Sequence, residues 1–113
     1  MFTEKQRIIA NRYDLLANMD ILQEECGELI KAISKYKRAT NPKLFPTPVS
    51  KEKAIADIKE ESVDVQICIE NIRYFLGMSD EEVSNIKNEK ASRTIKRMEE
   101  ADGLVWIKYP VPY

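Results

Sequence analysis

Apolar residues recur along this chain at steps of three and four, and the pattern is interrupted at a few places by proline, glycine and serine. That period collects side chains on one face of a helix. Leu15, Met19, Leu22, Cys26, Leu29, Ile30 and Ile33 make one such face and predict a helix from about Asp14 to Arg38. Ile58, Val65, Cys68, Ile69, Ile72, Phe75 and Leu76 make another, on a helix over 51–76 that Ser50 caps and Gly77 ends. The intervening stretch, Thr40-Asn41-Pro42 through Pro46, Pro48 and Ser50, cannot continue a helix and reads as a loop. Thr3 with Gln6 forms a capping box for a short first helix over 4–11. Ser79 with Glu82 forms a second box, and Asp80, Glu81 and Glu82 suit the positive end of a helix running to about Ala101. Gly103 follows, and the tail from Leu104 to Tyr113, aromatic and carrying Pro110 and Pro112, reads as extended. The expectation is an all-α protein, one domain over residues 1–113, folded as a helical bundle of about four helices.

Glu61 breaks the second apolar face. It lies inside the arc, flanked at helical spacing by Ile58, Val65 and Cys68. A lone ionised carboxylate there costs on the order of several kcal/mol, which a cation relieves. Asp64 follows three positions later, on the same side of the helix. Glu25 and Glu28 repeat that spacing on the preceding long helix, at the edge of its apolar arc beside Ile21, Ala32 and Tyr36. If the two helices pack antiparallel, the pairs face each other across a groove. Four carboxylates without nitrogen or sulfur donors make a hard oxygen site suited to Mg²⁺ or Mn²⁺. Gly27 costs about 1 kcal/mol of helix propensity relative to Ala, which points either to a close neighbour or to a tolerated substitution. The competing reading is a solvated acidic face: glutamate is a strong helix former, and 19 acidic residues in a helical chain produce such pairs by chance. A Lys or Arg partner for Glu61 is a further alternative.

Composition narrows the classes. A net charge of −1 with 33% charged residues gives no basic excess for nucleic acid. The absence of histidine excludes His-based triads and His metal ligands, and with them a ferritin-like di-iron site. Cys26 and Cys68 lie in apolar stripes without metal-ligand spacing and read as reduced core thiols, in keeping with a cytoplasmic protein. No apolar run approaches the roughly 18 residues of a membrane span, and the N-terminus has no signal-peptide pattern. Neither a membrane nor nucleic acid is expected as a partner.

The pattern Glu24-Glu25-x-x-Glu28 followed by Glu61-x-x-Asp64 on the next long helix resembles the MazG-like, all-α nucleoside triphosphate pyrophosphohydrolases, whose signature is EExxE followed by ExxD. The segments Glu24-Glu25-Cys26-Gly27-Glu28-Leu29-Ile30-Lys31-Ala32 and Glu60-Glu61-Ser62-Val63-Asp64-Val65 look like the family's two motif helices, and the resemblance covers roughly residues 13–98. It implies that Glu25, Glu28, Glu61 and Asp64 bind Mg²⁺ and that Glu24 orients water. It further implies cleavage of a nucleoside triphosphate between the α- and β-phosphates, giving a monophosphate and pyrophosphate. The interval between Glu28 and Glu61 is longer than the family's common spacing, and the proline-containing loop absorbs the excess.

A triphosphate also needs protein cations. Lys87, Lys90, Arg93 and Arg97 lie on the last predicted helix, while Lys31 and Lys35 extend the acidic side of the second. Lys87 and Lys90, which match the family's basic segment, are the leading phosphate contacts, with Lys31 beside the motif. Tyr13, Tyr36, Phe45 and Trp106 are candidates for stacking on a base, although aromatics at helical spacing more often serve the core; Phe45, in the loop, is the best placed. Trp106, Tyr109 and Tyr113 suit a cover over the bundle or a subunit interface. Helices with such wide apolar arcs rarely bury everything alone, and the family is built as dimers or tetramers, so a homo-oligomer is expected. The alternatives are a phosphoribosyl-ATP-type pyrophosphohydrolase of the same superfamily and a non-catalytic helical interaction module.

Overall fold

The computed structural model describes residues 2–102. They form four helices and no strand: α1 Glu4–Arg12, α2 Leu15–Thr40, α3 Lys51–Phe75 and α4 Asp80–Asp102. The all-α expectation therefore holds, while the predicted extended tail, with Trp106, Tyr109 and Tyr113, lies outside the described residues. Contacts divide the chain after Gly77, so α1–α3 form one unit and α4 belongs to another.

The helix ends follow local chemistry. Thr3 and Gln6 complete their capping box, with Thr3 Oγ1 accepting from the Gln6 N–H at 3.2 Å and Gln6 Oε1 from the Thr3 N–H at 3.0 Å. Asp14 caps α2 by accepting from the Ala17 N–H at 2.7 Å, and Ser50 caps α3 by accepting from the Lys53 N–H at 3.1 Å. α2 runs two residues beyond the predicted Arg38. There the Thr40 hydroxyl donates to the Tyr36 carbonyl at 2.8 Å and the Asn41 N–H donates to Lys37 at 2.9 Å. Gly77 ends α3 with a φ of +66°, the left-handed conformation that a side chain disfavours. Ser79 Oγ accepts from the Glu82 N–H at 3.1 Å at the start of α4.

α2 and α3 pack along their length as an antiparallel hairpin: Glu25 meets Glu61 and Asp64, while Lys31 and Lys35, further along α2, stand beside Asp57, further back on α3. The less exposed side of α2 runs Leu15, Asn18, Leu22, Glu25, Leu29, Ala32 and Tyr36. On α3 it runs Ala54, Ile58, Glu61, Val65, Cys68, Ile72 and Phe75. Both series step by threes and fours, the period of two helices meeting along a seam. Side chains at the most buried positions are small or polar: Ala10 and Ala54 are fully enclosed, and Ala32, Cys68, Asn18 and Asn71 nearly so. Ala-sized residues let the helix backbones approach closely, and they also leave a thin core.

α1 is held to this hairpin by polar contacts. Gln6 Nε2 donates to Glu70 Oε1 at 3.0 Å, and the Asn11 amide and Tyr74 hydroxyl exchange bonds at 3.1 and 3.2 Å. The Phe2 ring stacks on Tyr74 with centroids 5.0 Å apart. At the α1–α2 corner the buried Asn18 amide donates to the carbonyls of Asp14, at 2.9 Å, and Ala10, at 3.4 Å.

Several residues predicted for the core are exposed in the single chain. Ile30 is 67% exposed, Leu76 61%, and Ile33 is also open. They share the surface with Ile8, Ile9, Leu16, Val63 and Ile67. α2 carries two adjacent apolar stripes: Leu15, Leu22 and Leu29 are partly covered, as are Met19 and Cys26, whereas Ile30 and Ile33 stay open; Leu76 instead becomes the C-cap residue beyond the last turn of α3.

Candidate metal centre

The seam of the hairpin brings Glu25 of α2 together with Glu61 and Asp64 of α3. One carboxylate oxygen from each lies within 4.8 Å of the others, and all three residues are partly buried. The α3 pair arises from the three-residue step along one helix, and the α2 member comes from the antiparallel packing. The sequence pattern placed Glu25 at the edge of an apolar arc. In the fold it occupies a position of the seam itself, three residues after Leu22 and four before Leu29.

Glu61 carries the clearest electrostatic signature. Its Oε2 is shut off from solvent and has no hydrogen-bond partner among the described residues. Burial pushes its carboxyl above the ordinary value of 4.5, and the neighbouring charges of Asp64, Glu25, Glu28 and Glu60 push it further in the same direction. No Lys or Arg pairs with it among the described residues, so the alternative of an internal salt bridge is not realised. An inaccessible lone pair beside two further carboxylates fits a hard divalent cation, which takes oxygen donors and neutralises mutual repulsion.

Glu28 stands apart from this triad. It is exposed, lies 3.5 Å from Lys31 Nζ, and lines an adjoining groove of about 170 Å³ with Lys31, Ala32, Lys35, Asp57 and Glu61. It still acts on Glu61 electrostatically. Glu24 is exposed on the flank of α2. Gly27 does not mark a close approach among the described residues, because a Cβ built there meets nothing within 4 Å.

Cys68 is buried at the seam, one turn beyond Asp64, and burial raises its thiol pKa, followed by the charges of Glu25 and Asp64. It and Cys26 are both free thiols. Asn18 and Asn71 were not singled out in the sequence, where asparagine in an amphipathic helix carries no signal. Both are buried, Asn18 at the α1–α2 corner.

The cations of α4 belong to the second unit. Lys90, Arg93, Thr94 and Arg97 line one concave strip on its surface, with the Thr94 hydroxyl donating to the Lys90 carbonyl at 2.9 Å. Lys87 lies on the same helix and is exposed. Among the aromatic candidates, Tyr36 is half-buried in the seam, Phe45 is 81% exposed in the loop, and the Arg12 guanidinium lies 5.7 Å from the centre of the Tyr13 ring. No described helix is long and apolar enough to cross a membrane. Compared with protein-family models, curated proteins and solved structures, the chain finds no match.

Proposed function

We propose that this chain is a Mg²⁺-dependent nucleotide pyrophosphohydrolase of the MazG-like kind, cleaving an NTP or dNTP to the monophosphate and pyrophosphate, with a role in nucleotide-pool house-cleaning. The observation that carries the reading is the meeting of Glu25, Glu61 and Asp64 from two helices, with an inaccessible, unpartnered oxygen on Glu61. Glu25, Glu61 and Asp64 would hold the cation, with Glu28 at the rim reaching it through water or substrate. Bound Mg²⁺, or Mn²⁺ in its place, supplies charge neutralisation at phosphate oxygens and a more acidic water. Water then adds to the α-phosphorus and the α–β bridge breaks. Pyrophosphate departs with the bridging oxygen and its electron pair, and the proton of the attacking water passes to solvent. Glu24, on the exposed flank of the same helix, would orient that water. Lys31 stands at the groove and would contact a phosphate there. Most of the acceleration would come from positioning and electrostatic stabilisation.

The exposed apolar side chains of α1–α3 support a homo-oligomer, a dimer or tetramer in which Leu16, Ile30, Val63 and Ile67 meet a second copy.

The test is pyrophosphate release from a panel of canonical and modified NTPs, dNTPs and phosphoribosyl-ATP, with Mg²⁺, with Mn²⁺ and with EDTA. Metal-dependent release that disappears in Glu61→Gln is the expected result, and the best substrate names the role. No release from any nucleotide, together with no thermal stabilisation by either metal, overturns the enzyme reading in favour of a helical interaction module.

A further inference from the structure

Resting on the pyrophosphohydrolase reading, we infer that Lys35, with Lys31, receives the distal phosphates of a substrate whose reacting phosphate sits at the carboxylates, so that the leaving pyrophosphate points toward the loop end of the hairpin.

The charge distribution carries the direction. α2 has no Lys or Arg from Leu15 to Glu28, and α3 has none from Ser62 to Ile72. Apart from Arg73, in the last turn of α3, the basic residues on these two helices gather toward the loop: Lys31, Lys35, Lys37 and Arg38 on one side, Lys51, Lys53 and Lys59 on the other. The groove beside the cluster follows the same polarity. Glu61 belongs to both the cluster and the groove, so the two are continuous. From Glu28 the α2 wall proceeds through Lys31 and Ala32 to Lys35, about 10 Å at 1.5 Å per residue. Ala32 has no long side chain to block the groove.

The pairing of the lining residues decides which cation is available. Asp57 would repel a phosphate, but its Oδ1 is bound by Lys53 Nζ at 2.6 Å. Lys31 contacts Glu28 at 3.5 Å with both side chains more than half exposed, a pair that holds its members weakly. Lys35 makes no ion pair among the described residues. Its ammonium, a flexible point charge with three donors, is therefore free to meet an anion.

The test is calorimetric binding of pyrophosphate in excess Mg²⁺, which reads the groove independently of turnover. Lys35→Ala and Lys35→Gln should each weaken binding by at least about tenfold, Lys35→Arg should recover most of it, and Lys5→Ala, exposed on α1, should leave it unchanged. The two Lys35 variants should also flatten the dependence of binding on salt. Wild-type affinity in both variants, or an equal loss in Lys5→Ala, overturns the inference. Binding of Mg²⁺ by the wild type without binding of pyrophosphate also overturns it, and leaves the metal centre standing. Nucleotide turnover with an unchanged Lys35→Ala keeps the enzyme reading and removes this one. Failure of the wild type to respond to any divalent cation removes both.

Discussion

Glu25 and Glu61 face each other across the α2–α3 seam, each in the position where a hairpin of this period ordinarily places an apolar side chain. With Asp64 beside them, three carboxylates share a space without a basic partner among the described residues. The arrangement opposes the packing that creates it whenever all three are ionised and no cation is present. Stability should therefore depend on pH and on divalent metal in a way that the rest of this surface would not produce.

The sign of the pH effect follows from Glu61. Its carboxyl is raised in the fold above the ordinary 4.5, so the folded state holds the proton more tightly than the unfolded chain does. Its stabilising contribution is complete below the ordinary value and is lost as pH rises through the raised one. Glu4, lowered by its hydrogen bond to Arg7, contributes with the opposite slope, but equally in wild type and variant. The difference in urea midpoint between the metal-free wild type and Glu61→Gln should thus move against the wild type with rising pH. Adding Mg²⁺ at neutral pH should raise the midpoint of the wild type alone. A difference that is flat in pH would show that Glu61 titrates as an ordinary surface carboxyl.

Gly27→Ala should stabilise the protein by up to about 1 kcal/mol, since helix propensity improves and the added methyl meets no atom within 4 Å. Thermal melting at a fixed protein concentration reads this directly. A lowered melting temperature would mean that something outside the single chain packs against that face of α2.

Asn18→Ala should cost about 1–3 kcal/mol by removing the amide that serves the Ala10 and Asp14 carbonyls at a buried corner. Hydrogen exchange should show α1 losing protection before α2 and α3, because Asn18 ties α1 to the hairpin. Loss of protection spread evenly over all three helices would contradict that order.

Ile30→Asp and Val63→Asp place charges on side chains that the single chain leaves open. In the homo-oligomer proposed above, each should lower the mass observed by analytical ultracentrifugation, whereas Lys51→Asp should not. An unchanged mass in both apolar variants would remove the α2 and α3 faces from any subunit contact.

Much of the fold was legible because helix ends are written in local chemistry: Thr3, Ser50 and Ser79 each accept the N–H expected of a cap, and Gly77 takes the left-handed turn. The displaced Glu61 was equally visible, since one charged residue in an apolar arc needs only the helical period to be noticed. The face of α2 was harder to read. Ile30 and Ile33 are as apolar as Leu22 and Leu29, and periodicity alone does not say which stripe meets a neighbour. Averaging the two put Glu25 at an edge, whereas packing on the leucine stripe brings it into the seam. Asn18 escaped notice for a related reason: the burial of an amide is set by the approach of another helix, and that distance is not encoded in a single segment.

The chain reversal from Asn41 to Ser50 is closed off at each end by a short-range bond of its own. Asn41 Oδ1 accepts from the Lys43 N–H at 3.0 Å, and Ser50 begins α3 without help from the residues between. Each helix thus stops and starts on its own account, and closing a longer flexible connection costs only about 0.6 kcal/mol per doubling of its length. The interval is accordingly the place where this chain would tolerate inserted or deleted residues without shifting one acidic pair against the other.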